Sequence, residues 1–149
     1  MPPPPAIPRA RIIAAARTWI GTPYHHQASL CGVGTDCLGL LRGLYRVLYG
    51  VEPEPTPAYA PDWAEASSSE PLLDAARRHL QEIAPASAKP GDVLIFRWRR
   101  GSAAKHIAVV TADDRMIHAI EGAPVSEVAL SNWWRRHVAA AFAFPGVHD

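Results

Sequence analysis

Gly34-Thr35-Asp36-Cys37-Leu38-Gly39-Leu40-Leu41-Arg42-Gly43-Leu44-Tyr45-Arg46-Val47-Leu48-Tyr49-Gly50 is the stretch that decides how the rest of the chain must be arranged. From Cys37 to Tyr49 it reads as a helix. Leu38, Leu40, Leu41, Leu44, Tyr45, Val47 and Leu48 cover nearly its whole circumference, and Arg42 and Arg46 interrupt them on one face. A helix this apolar needs packing partners on most sides, so it reads as the buried central helix. Gly50 is its stop and Asp36 its candidate N-cap. Cys37 falls in the first turn, where unpaired N–H groups and roughly half a positive charge favour a thiolate. The plainer alternative is a small buried residue, since free cysteine is commonly buried.

Working outward, residues 25–36 read as a polar, glycine-containing loop. Before it, Arg9 to Ile20 reads as a helix with Ile12, Ile13, Ala16, Trp19 and Ile20 on one side, stopped by Gly21 and Pro23. Residues 1–8 form a proline-rich, extended arm, and residues 9–149 a single domain. After the central helix, residues 51–69 alternate Pro53, Pro55, Pro57 and Pro61 with Glu and Ala and end in Ser67 to Ser69. They read as a long surface loop or lid. Pro71 opens a third amphipathic helix that the apolar spacing carries to Ile83.

The pattern then changes to strands: Val93 to Phe96, His106 to Thr111, Arg115 to Ile120 after an Asp113-Asp114 tip, Val125 to Leu130, and Val138 to Phe144. Ser131 is placed to cap a short helical turn through Trp133 and Trp134. Helices first and antiparallel strands second make an α+β fold.

Composition narrows the function classes. The chain has 149 residues with 48% hydrophobic and 19% charged, an ordinary globular balance for one domain. Lys+Arg is 15 against 14 Asp+Glu, which offers no electrostatic case for nucleic acid. No apolar run approaches the roughly 18 to 20 residues that span a bilayer, so no membrane insertion is expected. Met1-Pro2-Pro3-Pro4-Pro5 does not read as a signal peptide, which implies cytoplasmic synthesis.

A nucleophilic cysteine needs a base. His106 and His118 lie on neighbouring strand candidates joined by a hairpin. An odd-numbered loop points both to one face of the sheet, where His118 can orient the His106 ring; an even loop separates them. His25 or His26 with Cys31 and Cys37 offers donors for zinc, but no CxxC pair or standard zinc spacing is present, so no metal is expected. A Cys31–Cys37 disulfide would silence the thiol; free thiols are preferred in a reducing cytosol. Two basic aromatic runs, Arg97-Trp98-Arg99-Arg100 and Trp133-Trp134-Arg135-Arg136, suit sugar stacking, acidic peptides or a protein partner, or else supply a core tryptophan beside solvated arginines.

Taken in order, Thr22-Pro23-Tyr24, Asp36-Cys37-Leu38-Gly39-Leu40, Pro90 to Phe96, His106-Ile107-Ala108-Val109-Val110 and Met116-Ile117-His118-Ala119 resemble the NlpC family of papain-like cysteine peptidases. The resemblance implies a helical layer on an antiparallel sheet of about five strands, with the nucleophile at the start of the central helix. It implies Cys37 as nucleophile, His106 as general base and His118 as the orienting residue, with no cofactor. Tyr24 matches a family tyrosine near the oxyanion, and Asp36 and His26 are placed beside it as oxyanion- or substrate-side residues. The implied substrate is a peptidoglycan stem peptide, cut at the D-glutamyl–diamino acid bond.

Leu38 departs from the serine that usually follows the family cysteine. The Gly-Thr-Asp-Cys-Leu-Gly-Leu run in a single domain is similar to the cell-wall peptidases of phage tails and gene transfer agents. That similarity implies tail-tip, hub or baseplate partners, carriage in a phage-like particle and action in the target's envelope. The alternative is a structural tail-tip subunit with an idle or partner-gated site.

Overall fold

A computed structural model describes residues 2–54 and 70–149. In chain order these hold β1 (Ile7–Pro8), α1 (Arg9–Arg17), β2 (Ser29–Leu30), β3 (Gly34–Thr35), α2 (Cys37–Tyr49), α3 (Pro71–His79) and β4 (Gln81–Ile83). A 3-10 turn (Pro85–Ser87) leads to β5 (Val93–Phe96), β6 (His106–Ala112), β7 (Arg115–His118), β8 (Ser126–Ala129), α4 (Asn132–Arg136), β9 (Val138–Ala143) and β10 (Val147–His148). The architecture is α+β, with one more strand than expected: a six-stranded antiparallel sheet in the order β4-β9-β5-β6-β7-β8.

The sheet is covered on both faces, which is why Val93 to Phe96 is apolar without alternation. Val93 and Ile95 join the main core with Leu40, Leu44 and Leu48 of α2 and Ile12 and Trp19. Leu94 and Phe96 face the other way, into a smaller cluster with Ala108, Val110, Met116 and Leu130, closed by Trp134. The proline-rich segment is anchored at its end. Ile7 is fully buried, and β1 pairs in parallel with β10.

Helix α2 begins and ends where its sequence indicates. Asp36 caps it and Gly50 closes it in the left-handed conformation, φ 79°. Two glycines let it pack tightly. A Cβ on Gly43 would lie 2.2 Å from the Trp19 ring, and one on Gly39 would lie 1.9 Å from the Ala28 carbonyl oxygen. The helix is not buried all round, however. Val47 is exposed, so the expectation of an almost fully enclosed helix is corrected on that side.

Other expectations shift at their edges. α1 stops at Arg17 and unwinds through shorter-range hydrogen bonds, which turns Ile20 outward. The loop 25–36 contains the small β2–β3 hairpin. The helix expected over Pro71 to Ile83 ends at His79. Leu80 becomes extended, and Gln81–Ile83 pairs as an edge strand with β9. Leu80 and Ile83 satisfy helical spacing equally well, and only the open edge of β9 distinguishes the two outcomes. β7 stops at His118 rather than Ile120. The loop or lid expected over 51–69 lies, from residue 55 on, outside the described residues.

Candidate active site

Cys37, His106 and His118 come together at one end of the sheet. The cysteine half is built from backbone. Asp36 accepts the Gly39 N–H at 2.7 Å on one carboxylate oxygen and the Gln27 N–H at 2.8 Å on the other. Gln27 has a positive φ of 67°, so the carboxylate ties down a strained turn as well as the helix start. The Ser29 hydroxyl donates to the Gly39 carbonyl at 2.6 Å. Gly39 is required here because the loop backbone lies directly on the first helical turn. Tyr24 is held beside this junction by a bridge to Thr35.

The histidine half is built from the sheet. Ala108 pairs with His118, and a register shift between Val110 and Ala112 accommodates the extra residue of the hairpin. His106 and His118 therefore share a face although the tip, Asp113-Asp114, is an even two-residue loop, for which opposite faces are expected; the bulge supplies the odd residue. His106 Nε2 lies 2.9 Å from His118 Nδ1, both residues buried. With Nε2 so engaged, Nδ1 of His106 is the nitrogen left for the thiol. That assignment makes the Nε2–H donate to His118.

The sequence did not reveal the wall around His106. Trp98 stacks on it at a centroid distance of 4.9 Å and Trp134 at 5.4 Å, with Phe96 at 5.7 Å. Trp98 and Trp134 are 5.7 Å apart, so the three rings form a triangular cluster rather than a sandwich. Both tryptophans come from the basic aromatic runs. One of the readings given to those runs, a core tryptophan beside solvated arginines, describes Trp134 and its neighbours in part. What local pattern could not supply was the meeting of the two runs at the histidine.

Cys37, His106 and Trp98 line a groove of about 200 Å³ with Tyr24, His26, Asp36, Leu38, Lys105 and Glu121. The Cys37 thiol rests against the Lys105 carbonyl at 3.4 Å. Its pKa is pushed up to about 12, first by burial and then by the Asp36 carboxylate; the N–H groups of Ile107, Leu38 and Cys37 oppose this. This corrects the expectation that the helix start makes a ready thiolate: desolvation outweighs the backbone dipoles. Burial and neighbouring His118 push His106 down to about 3, and burial also lowers His118. Tyr24 is raised to about 12 by burial and by Cys37, Asp36 and Glu121. The resting site is thus a neutral thiol beside neutral imidazoles, with a protonated phenol available as a donor.

Cys31 lies elsewhere, its thiol donating to the Thr18 carbonyl at 3.2 Å, and both cysteines are free. Among the described residues no group of three or more His, Cys, Asp or Glu is arranged to hold a metal ion.

The NlpC/P60 family model matches residues 21–142, which takes in every residue of this site. The chain belongs to the NlpC/P60 family. Members of that family are cysteine hydrolases of peptidoglycan. The chain is 26% identical over 132 residues to the Gamma-DL-glutamyl hydrolase of Bacillus subtilis (strain 168), a match covering 88% of this chain and 28% of that protein. It thus spans well under half of that relative's length. Its fold is similar to the NlpC/p60 domain of the peptidoglycan hydrolase SagA (TM-score 0.65, 24% identity, 93% of this chain and 100% of that one). It is also similar to an NlpC/P60 family protein from Bacillus cereus ATCC 10987 (TM-score 0.67, 21% identity, 96% of this chain and 41% of that one).

Proposed function

We propose that this chain is a cysteine endopeptidase of peptidoglycan stem peptides, with Cys37 as nucleophile and His106 as its base. The observation that carries the reading is the convergence of Cys37 and His106 on one groove, with His118 bonded behind His106 at 2.9 Å. The thiol proton passes to His106 Nδ1 as Cys37 Sγ attacks the amide carbonyl carbon. His118 Nδ1 accepts from Nε2–H, holding the ring and stabilising the imidazolium that forms. The oxyanion is met by backbone N–H at the start of α2 and by the Tyr24 hydroxyl. His106 then protonates the leaving amine, and a water it deprotonates hydrolyses the thioester.

Asp36 positions the nucleophile through its two backbone bonds, and His26 lines the substrate side of the groove. Similarity to a γ-glutamyl hydrolase supports the D-glutamyl–diamino acid bond as the one cut. The Gly34 to Leu40 run supports carriage by a phage-like tail or gene transfer agent particle, docked to tip, hub or baseplate proteins and acting in the target's envelope.

The partly buried thiol, resting on the Lys105 carbonyl at 3.4 Å, supports a second reading, a site gated by such a partner and idle until docking. Digestion of purified Gram-negative sacculi by wild type and Cys37→Ala, with released muropeptides identified by mass, separates the two. Fragments from wild type alone carry the peptidase reading and name the bond. Equal release from both proteins overturns the Cys37 mechanism, and no release from either favours the gated site.

A further inference from the structure

Trp98 and Trp134 wall His106, Arg97 pairs with Glu70 and Arg135 donates to the Asp113 carbonyl, which leaves Arg99, Arg100, Trp133 and Arg136 of the two basic aromatic runs unexplained. The fold joins those runs into one surface. The Arg97 N–H donates to the His137 carbonyl at 2.8 Å, and the Trp133 ring lies 6.3 Å from Trp98. Trp133 is 46% exposed although its ring is fixed. It stacks on His137 at 4.0 Å, and His137 Nδ1 lies 2.6 Å from the Trp133 carbonyl oxygen. A half-exposed indole is thus fixed in place between His137 and the Trp134 ring, which lies 5.0 Å away.

Beside it Arg99, Arg100 and Arg136 are exposed, and among the described residues none has a carboxylate partner. Most surface arginines elsewhere are paired, Arg42 and Arg46 with Glu52, Arg77 with Glu82 and Arg78 with Glu54, and Arg11 is a single exception among the described residues, whereas here three such arginines fall in two adjoining runs. In a chain with a net charge of +1 these guanidinium groups are a local excess of positive charge.

We propose that this face docks the glycan strand of peptidoglycan: a sugar ring lies on Trp133, and carboxylates of the neighbouring stem peptides, not of the one being cut, pair with Arg99, Arg100 and Arg136. Indole faces favour the apolar C–H face of a ring, and guanidinium forks match carboxylates. The surface is continuous with the groove through Trp98, which lines the groove and neighbours Trp133. A strand held on it presents its stem peptides to Cys37. The naming of this glycan rests on the hydrolase reading above.

The test is co-sedimentation of the Cys37→Ala chain with purified sacculi, alone and with Arg99→Gln, Arg100→Gln and Arg136→Gln combined. Sacculi whose carboxylates have been amidated are the second arm. Three exposed charge pairs imply about a tenfold loss of affinity in the triple variant, erased by high salt. Amidation should reproduce that loss, with no further effect of the triple variant. Trp133→Ala should weaken binding to both kinds of sacculi.

With Cys37 restored, the triple variant should cleave a soluble, sugar-free stem peptide at the wild-type rate within about twofold. Unchanged sedimentation of the triple variant overturns the proposal. So does a rate on soluble peptide that falls as far as sacculus binding, since the arginines would then serve the groove. If the wild type cuts no soluble peptide, the hydrolase reading is what fails, while the sedimentation still reads the surface.

Discussion

The two halves of the site are made by opposite means. Around Cys37 the structure is almost all backbone: a capped helix start, a strained turn at Gln27 and a loop pressed onto Gly39. Around His106 it is almost all aromatic side chain, from Phe96, Trp98, Trp134 and His118. Both surroundings favour the neutral form of the group they hold, but for different reasons. Burial raises the thiol with help from one carboxylate, whereas burial lowers the imidazole with help from a second imidazole. The comparison teaches that the two halves disfavour charge at rest by different means, the thiol through burial beside a carboxylate and the imidazole through burial beside a second imidazole.

The largest expected effect separates the imidazoles. His106→Ala removes the proton acceptor and should lower kcat on stem peptide by about 10³- to 10⁴-fold. His118→Ala should cost about 10²-fold, and His118→Asn, which keeps an acceptor for Nε2–H, should recover part of that. Equal rates for the two His118 variants would mean that the 2.9 Å contact does not position the ring.

Next comes packing on the cysteine side. Gly39→Ala places a methyl 1.9 Å from the Ala28 carbonyl and should destabilise the fold by about 2 to 3 kcal/mol in denaturant melts. Comparable packing of Gly43 against Trp19 makes Gly43→Ala a control remote from the thiol. Both should destabilise, and only Gly39→Ala should also change alkylation of Cys37.

The pH dependence tests each half separately. His106 and His118 stay neutral in the fold at pH values where the unfolded chain, with histidine near 6.5, takes up protons. The contribution of both is therefore full above about pH 6.5 and is lost as pH falls, for His106 down toward 3 at about 1.4 kcal/mol per pH unit. Cys37 runs the other way. Its folded pKa is raised, so its contribution is full below about pH 8.5 and is lost as pH rises toward 12. Alkylation of folded Cys37 should accordingly keep rising well beyond pH 9, where an unfolded thiol levels off.

The smallest effect is the most discriminating. Asp36→Asn should bring the thiol pKa down and leave the histidines unchanged, while Trp134→Leu should raise the His106 pKa and leave the thiol unchanged. Thiol alkylation profiles and imidazole NMR titrations check both. A variant that moves both groups would show that the halves are coupled.

This division also explains what could be read from sequence. Asp36, Cys37 and Gly50 act within one helix and its caps, so local chemistry identified the cysteine and both ends of α2, whereas the need for Gly39 comes from the loop at Ala28 and was not legible. His106 and His118 were legible as a pair because a hairpin makes them neighbours, but loop parity alone would have put them on opposite faces: the two-residue loop is even, and only the bulge near Thr111, which the sequence does not announce, brings them together. Trp98 and Trp134 were visible as residues but not as a wall, since their meeting depends on α4 folding over the sheet. Sign was the harder problem for the thiol pKa. A helix start is local and readable, but the burial that outweighs it is tertiary. The edge strand Gln81–Ile83 was lost for a similar reason: its spacing is compatible with a helix, and its partner lies far along the chain.

The most direct measurement is the intact mass of the protein, acid-quenched during turnover of a γ-D-glutamyl–diamino acid peptide. The account predicts an acyl adduct on Cys37, absent from Cys37→Ala and released on continued incubation with water. Turnover by Cys37→Ala, or turnover with the acyl group on another residue, would contradict it.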